Sequence, residues 1–290
     1  MVLEDSPETP KAVCFFDVAP ASLVHFTSKI LEAPFSRPVV LANTCRETML
    51  QWSVINPTGR KCRHLGLGGM CASDERGMRE IFSKCRTVVI SDSWLARDGM
   101  PTTKGGGYGA LFDFFNEGGT VVVYCEMGVY SIGETLGLIF GCEWSLEGVN
   151  HYTVAPTETG RVLLGDSAPE ELYVGSAHML KVAEGEALYI PKQATLSLAE
   201  YIREYLGDPQ LLEHGEEPDL ASIDDEEWVE DWNEAVRSWK STKKQGTPLA
   251  VYRADPVPPH GQGGKLVWVG DRAQEDTGIR SVLAHLFCKL

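Results

Sequence analysis

The sequence predicts an α/β fold, in which a mostly parallel sheet carries helices on both faces. Short segments that contain a continuous apolar run predict strands that are buried on both sides. In the first half of the chain these segments are residues 12–17, 38–42, 87–92 and 120–125. Segments with a helical pattern alternate with them, at residues 22–31, 73–83, 107–117 and 132–140. This alternation favours a flavodoxin-like arrangement of strands and helices.

The second half of the chain predicts a β-hairpin region and a closing pair of strands. Shorter strands with hairpin-like spacing are expected at residues 151–154, 161–164 and 186–190. Two more strands, at residues 249–253 and 265–271, precede an amphipathic helix at residues 277–290. The chain has 290 residues, of which 43% are hydrophobic, and this is ample for one large core. We therefore expect residues 1–290 to form a single domain.

Residues 191–246 lie between the hairpin region and the closing strands, and they predict a helical acidic insertion within that domain. Its stretch 207–234 carries twelve acidic residues. Farther along, Trp228, Trp232 and Trp239 share one helical face. These tryptophans either pack the helix onto the rest of the chain or form a surface for a protein partner, because tryptophan is enriched in binding hot spots. The acidic residues form either a solvated face or an attraction for a basic partner.

Charge and composition exclude several classes of protein. The formal net charge is −15, whereas a nucleic-acid surface needs clustered lysine and arginine. No apolar run approaches the ~20 residues that span a bilayer, and the first residues lack the pattern of a secretory or transit peptide. We therefore expect a soluble, cytoplasmic protein with neither a nucleic-acid nor a membrane partner.

The eight cysteines do not predict a metal site. None belongs to a CxxC pair, and the nearest approach to a ligand cluster, Cys62, His64 and Cys71, lacks the second pair that a zinc site shows. Reduced thiols that serve as small apolar residues are the expectation for most of them. We predict no resident metal and no cofactor.

One cysteine stands at a position that favours chemistry. Gly118 and Gly119 end a helix, a strand follows, and the strand runs into Cys125 and a turn that closes at Gly128. A cysteine on such a strand-to-helix turn projects its sulfur above the sheet edge, near backbone N–H groups that can hold an oxyanion. We call residues 125–128 the elbow. The same sequence also describes an ordinary core thiol at the end of a buried strand, and both interpretations remain open.

Polar residues follow several of the predicted strands. In an α/β sheet, ligands bind beyond the carboxyl ends of the strands. The residues that we expect to converge there around Cys125 form a pocket for a small polar ligand: Asp17, Ser91, Asp92, Glu126, Gly128 and Asp271. The three aspartates would hold a divalent cation if they truly met, or they cap the helices that follow.

Catalysis by Cys125 needs a base, because a free thiol is only a few per cent ionised at neutral pH. His151 and His178 are the candidates, and each has a structural or solvated role as its alternative. Glu126 would either activate water or cap the next helix. The N–H groups of Glu126 and of the Ser91–Ser93 segment would stabilise an oxyanion.

Three segments together resemble the class I glutamine amidotransferase-like superfamily, and most closely its trehalose-utilisation (ThuA-like) branch. Residues 111–122 are similar to the helix–Gly-Gly–strand entry to the elbow of that family, and residues 136–144 to the segment that follows it. Residues 248–253 and 264–271 are similar to its closing hairpin. The resemblance implies a flavodoxin-like fold with a pocket around Cys125, and a thiol-dependent hydrolysis or amide transfer.

The resemblance also implies an alternative. Working glutaminases of the superfamily pair the elbow cysteine with a late His-x-Glu, and no such triplet follows Cys125, since Met179 and Leu180 come after His178. Many members of the superfamily are non-catalytic and serve as binding or assembly domains. A pseudo-enzyme that binds a partner through the tryptophans of the insertion is therefore the second function that the sequence supports.

Overall fold

The protein has an α/β fold built on one mixed sheet. The computed structural model describes residues 12–16, 39–42, 63–64, 78–79, 82–83, 85–97, 107–126, 128–207, 226–243, 245–256, 263–270, 282 and 286. Within these residues the sheet has ten strands. The prediction of an α/β fold is confirmed.

One half of the sheet is parallel. Its strands are β1 (Ala12–Phe16), β2 (Val39–Ala42), β3 (Arg63–His64), β4 (Cys85–Ser91), β5 (Thr120–Tyr124) and β10 (Lys265–Val269). The β5 strand is buried along its whole length and lies between β4 and β10, with parallel pairing on both sides. Both faces of a central strand in this position pack against the core, and three consecutive valines accordingly occupy residues 121–123.

The other half of the sheet is antiparallel, so the prediction of a mostly parallel sheet is not confirmed. Its strands are β6 (Ser145–Pro156), β7 (Leu172–Lys181), β8 (Ala187–Pro191) and β9 (Leu249–Arg253). The β9 strand pairs antiparallel with both β8 and β10, and β6 does so with both β7 and β8. Across the whole sheet the strand order is β3-β2-β1-β4-β5-β10-β9-β8-β6-β7. The β6 strand therefore lies between β7 and β8, and both of them run antiparallel to it.

Helices contribute to the hydrophobic core on both faces of this sheet. On one face, α1 (Asp92–Arg97), α2 (Gly107–Asn116) and α3 (Ile132–Phe140) pack in a cluster with alternate residues of β4, β5 and β10. We call this face A. On the opposite face, which we call face B, α4 (Glu158–Leu164) contributes Leu164 to a second cluster, together with Val282 and Leu286. The α2 and α3 helices lie where the sequence predicted them.

Residues 161–164 form part of α4, so the prediction of a strand there was wrong. The cause is a helix start that precedes the apolar residues. The hydroxyl of Thr157 accepts a hydrogen bond from the N–H of Gly160 and caps the helix at its first turn. Gly160 also has no room for a side chain, since a Cβ there would overlap the carbonyl group of Leu188. The apolar residues Val162 and Leu163 therefore lie within a helix and not within a strand.

The described part of the acidic insertion is helical. It contains α5 (Lys192–Thr195), α6 (Leu198–Leu206) and α7 (Glu226–Thr242), and β9 follows. The tryptophans of α7 contact this same chain: Trp232 is buried and stacks on Trp228, with ring centroids 5.3 Å apart. The indole N–H of Trp239 donates to the carbonyl oxygen of Leu196 over 3.1 Å. These contacts fit the packing role, and the surface for a protein partner stays a prediction.

Several predictions fall on residues outside the described part of the chain. They concern the helix at residues 22–31, most of the terminal helix at residues 277–290, and the side chains of Asp17 and Asp271. Val282 and Leu286 are described, and each is helical and buried. Among the helices that the structure describes, none has both the length and the apolar character needed to cross a membrane.

Candidate active site

Cys125 lies immediately after β5, at the carboxyl end of the parallel half of the sheet. Its side chain belongs to face A, like those of Val121 and Val123 before it, because side chains alternate along a strand. The N–H group of Cys125 donates to the carbonyl oxygen of Val269 at the end of β10, over 2.8 Å. The residue is 1% exposed, and the neighbouring strand therefore fixes the backbone that carries the sulfur.

His178 comes from the far edge strand, β7, yet it reaches the same place. The last residues of β7 pair with β6 on one side and, on the other, approach the ends of β9 and β10. The N–H group of His178 donates to the carbonyl oxygen of Gly270 over 2.8 Å, and its own carbonyl oxygen accepts from the indole N–H of Trp268 over 3.0 Å. Consecutive residues at the end of β10, Val269 and Gly270, thus hold the backbones of Cys125 and His178.

The two side chains form a dyad. Sγ of Cys125 lies 3.3 Å from Nδ1 of His178, within hydrogen-bonding distance for sulfur. His178 is 5% exposed, so the contact is shielded from bulk water, which strengthens an electrostatic interaction. The pair can exist as a thiol that donates to a neutral imidazole, or as a thiolate that accepts from an imidazolium. In the second form the thiolate is a nucleophile, and the imidazolium beside it can donate a proton as a general acid.

The shape of the elbow depends on Asp92, the first residue of α1. Its carboxylate accepts three backbone N–H groups: that of Glu126 over 2.8 Å, that of Gly128 over 2.8 Å and that of Val129 over 3.0 Å. Asp92 is fully buried. Its carboxylate therefore supports the turn and is shielded from solvent. The N–H of Glu126, which the sequence suggested as an oxyanion donor, is used by this carboxylate in the structure.

Gly128 permits the imidazole to approach the elbow. Its φ is +75°, in the left-handed region that favours glycine. A Cβ at this position would overlap Cε1 and Nε2 of the His178 ring. Gly270 has a matching constraint on the other side, since a Cβ there would overlap the carbonyl oxygen of His178. Both glycines let backbone lie directly against the histidine.

A short chain of polar side chains borders the elbow. The hydroxyl of Ser93 donates to Oε2 of Glu126 over 2.5 Å, and the Ser91 and Ser93 hydroxyls lie 2.9 Å apart. The N–H of Trp94 donates to the Ser91 hydroxyl over 3.2 Å, because Ser91 stands where β4 ends and α1 begins. Glu126 and Ser93 are half-buried, so this polar chain connects the surface with the neighbourhood of Cys125.

The structure brings together most of the predicted site. Cys125, His178, Gly128, Asp92, Ser91 and Glu126 all lie at the carboxyl ends of β4 and β5 or contact residues there. Asp17 and Asp271 lie outside the described residues. For His151 the structure describes only the position of its backbone, in β6. The role of His178 as the partner of Cys125 thus has a geometric basis, whereas the side chain of His151 lies outside the described part of the chain.

Two other cysteines whose side chains the structure describes have different surroundings. Cys85 and Cys142 are both buried, and neither forms a disulfide within the described residues. Burial raises the pKa of the Cys142 thiol to about 12, with a smaller contribution from the nearby Glu186 carboxylate. This thiol stays protonated and unreactive at neutral pH. It provides an internal reference for Cys125, whose neighbour is an imidazole.

Two parts of this site have only weak signals in the sequence. The β7 strand was not predicted, although Leu172, Tyr173 and Val174 have strand-forming character. The supporting role of Asp92 depends on backbone groups 34 or more positions along the chain. Comparison of the chain with protein-family models found no matching family, and a search of curated proteins found no match.

Proposed function

We propose that this protein is a thiol-dependent acyl-transfer enzyme, which hydrolyses an amide or ester of a small polar molecule or passes its acyl group to an amine. Cys125 is the nucleophile and His178 is its general base. The observation that carries the proposal is the 3.3 Å contact between Sγ and Nδ1. A base within hydrogen-bonding reach is the geometric requirement for an activated thiol.

The reaction follows from the two side chains. Nδ1 of His178 takes the proton of Cys125, and Sγ attacks the carbonyl carbon of the substrate to give a tetrahedral adduct. The adduct collapses to a thioester as the leaving amine or alcohol accepts the proton from His178. Water or an acceptor amine then attacks the thioester, with His178 as base again, and Cys125 is regenerated. Glu126 and Ser93 supply polar contacts at the entrance for the substrate.

The parallel half of the sheet supports a finer assignment of the fold. A flavodoxin-like, glutamine amidotransferase-like (ThuA-like) arrangement has its elbow after a central parallel strand, and β5 with Cys125 occupies that position between β4 and β10. We propose this assignment together with the function. The histidine that pairs with the cysteine comes from an antiparallel strand. It is not part of a His-x-Glu triplet such as the glutaminases have.

A second candidate is a non-catalytic binding or assembly domain. The observation in its favour is that the Asp92 carboxylate already takes the N–H of Glu126, and a buried carboxylate there competes with an oxyanion. In such a protein the Cys125–His178 contact is a packing feature, and the insertion with Trp228, Trp232 and Trp239 is the surface for a partner.

Trapping of an acyl-enzyme separates the two candidates. The protein is mixed with a panel of small nitrophenyl esters and primary amides, and adducts are located by peptide mass spectrometry. We expect a burst of leaving group and an acyl adduct on Cys125, both of which Cys125→Ser removes. The matched control Cys142→Ser keeps both, because that thiol lies outside the dyad. A folded native protein that forms no adduct on Cys125 would favour the second candidate.

A further inference from the structure

The β7 strand contains a β-bulge just before His178. Asn150 of β6 pairs with Ala177, and two residues farther along β6 Tyr152 pairs with Val174. Residue 151 therefore faces two residues of β7, Gly175 and Ser176. Ser176 has a φ of +54°, and among the described residues it is the non-glycine residue with a positive φ. A left-handed residue at such a position is normally glycine, so the serine is held there by its surroundings.

The bulge changes which face of the sheet each later side chain occupies. Before it, Leu172 and Val174 contribute to the face B cluster; after it, Ala177 and Met179 do. Side chains alternate strictly in an uninterrupted strand, so residues 172, 174, 176 and 178 would share one face. The extra residue reverses this order. Leu180, and His178 with it, are placed on face A, to which Cys125 also belongs.

The bulge also redirects the strand. Bulged strands bend and twist more strongly than regular ones. The β7 strand pairs with β6 on both sides of the bulge. Beyond the bulge its other edge gains partners: Leu180 exchanges two backbone hydrogen bonds with Thr247, of 2.9 and 2.8 Å, and His178 bonds to Gly270. The free edge of β7 thus reaches the ends of β9 and β10, where Cys125 is anchored.

We infer that the Gly175–Ser176 bulge is the device that positions His178 against Cys125, and that Ser176 is a positioning residue for the reaction. The catalytic role of Ser176 rests on the proposed function. The position of His178 follows from the register of β7 and does not depend on that function. Ser176 does not touch the reacting atoms. It acts by setting the face of the sheet on which the side chain of His178 lies and the direction of β7 at residue 178.

Two variants of Ser176 test the inference. Deletion of Ser176 removes the extra residue and returns β7 to uninterrupted alternation. Ser176→Gly keeps the bulge and suits the left-handed backbone better. We expect the deletion to slow iodoacetamide alkylation of Cys125 at neutral pH at least tenfold and to give it the pH profile of an ordinary thiol. Ser176→Gly keeps the native rate within about twofold and the native profile.

A third variant covers the case in which the deletion prevents folding. Ser176→Val keeps the chain length, but its β-branched side chain disfavours a positive φ. We expect it to slow alkylation of Cys125 less than the deletion does, with the same change in the pH profile. Circular dichroism identifies which variants are folded. A folded deletion variant, or a folded Ser176→Val variant, that keeps the native rate and profile would overturn the inference.

An independent measurement separates this inference from the proposed function. The NMR titration of the His178 ring, assigned with His178→Gln, reports whether the ring senses Cys125. In the native chain it changes when Cys125 is replaced with serine, and in the deletion variant we expect no such change. If the titration of the native ring depends on Cys125 but no acyl-enzyme forms, the proposed function is wrong and the positioning of His178 by the bulge is retained. If the titration of the ring still depends on Cys125 in the deletion variant, the positioning role of the bulge is wrong.

Discussion

Replacing His178 with glutamine is expected to lower the rate of acyl transfer to Cys125 by ~10²–10⁴, which is the usual contribution of a general base. Glutamine has a similar length and can donate or accept hydrogen bonds, but it cannot take the thiol proton. The backbone of residue 178 remains anchored by Gly270 and Trp268, so the variant is expected to fold. The measurement is the pre-steady-state burst with an activated ester, together with circular dichroism.

A parallel variant at the other candidate histidine makes the result specific. His151→Gln changes the same kind of side chain in β6, opposite the bulge of β7. If His178 is the base, the loss in His178→Gln exceeds that in His151→Gln by tenfold or more. A large loss in His151→Gln with nearly native acylation in His178→Gln would contradict the assignment of the base.

Replacing Asp92 with alanine is expected to give the largest loss of stability among the site variants. The change leaves three N–H groups of the elbow, those of Glu126, Gly128 and Val129, without their acceptor, and all three residues are half-buried. An unsatisfied group costs about 1–3 kcal/mol when it is fully buried and less where water reaches it, so the free energy of unfolding should fall by about 2 kcal/mol or more. Urea unfolding at constant pH measures the change, and a smaller loss is expected for Asp92→Asn, which retains one acceptor oxygen.

Asp113→Ala is the matched control for the loss of an aspartate. Asp113 contacts Arg79 on the surface, and an exposed ion pair contributes only about 0–1 kcal/mol. The comparison therefore separates the burial and the hydrogen bonds of Asp92 from the mere removal of a negative charge. Equal losses in the two variants would mean that the Asp92 carboxylate does not stabilise the elbow.

The parts of the fold that the sequence predicted depend on local patterns. Gly118 and Gly119, the apolar run that follows and the helix of residues 132–140 are all neighbours in the chain, so β5, the elbow and α3 could be located. The strands β9 and β10 were predicted for the same reason. Each of these elements has one uninterrupted pattern of apolar residues, and this pattern is the main signal of secondary structure in a single sequence.

The parts that escaped prediction depend on breaks in a period or on distant contacts. The β7 strand has one alternation up to Val174 and the opposite one from Ala177, so no single strand pattern covers it. The mixed character of the sheet follows from pairing choices that individual strands do not encode. Cys125 and His178 are 53 residues apart in sequence, and their contact depends on how the ends of β10 and β7 meet.

The most direct test of the central claim is the pH dependence of Cys125 alkylation by iodoacetamide in the folded protein. Cys125 is almost fully buried, so the shape of the rate profile, more than the absolute rate, reports the thiolate. Cys142, with a pKa raised to about 12, is the internal reference in the same sample. The dyad predicts that Cys125 reacts selectively well below the ordinary thiol range of about 8.5 and that His178→Gln abolishes this selectivity. Alkylation of Cys125 only in step with Cys142, or only on unfolding, would contradict an activated thiol.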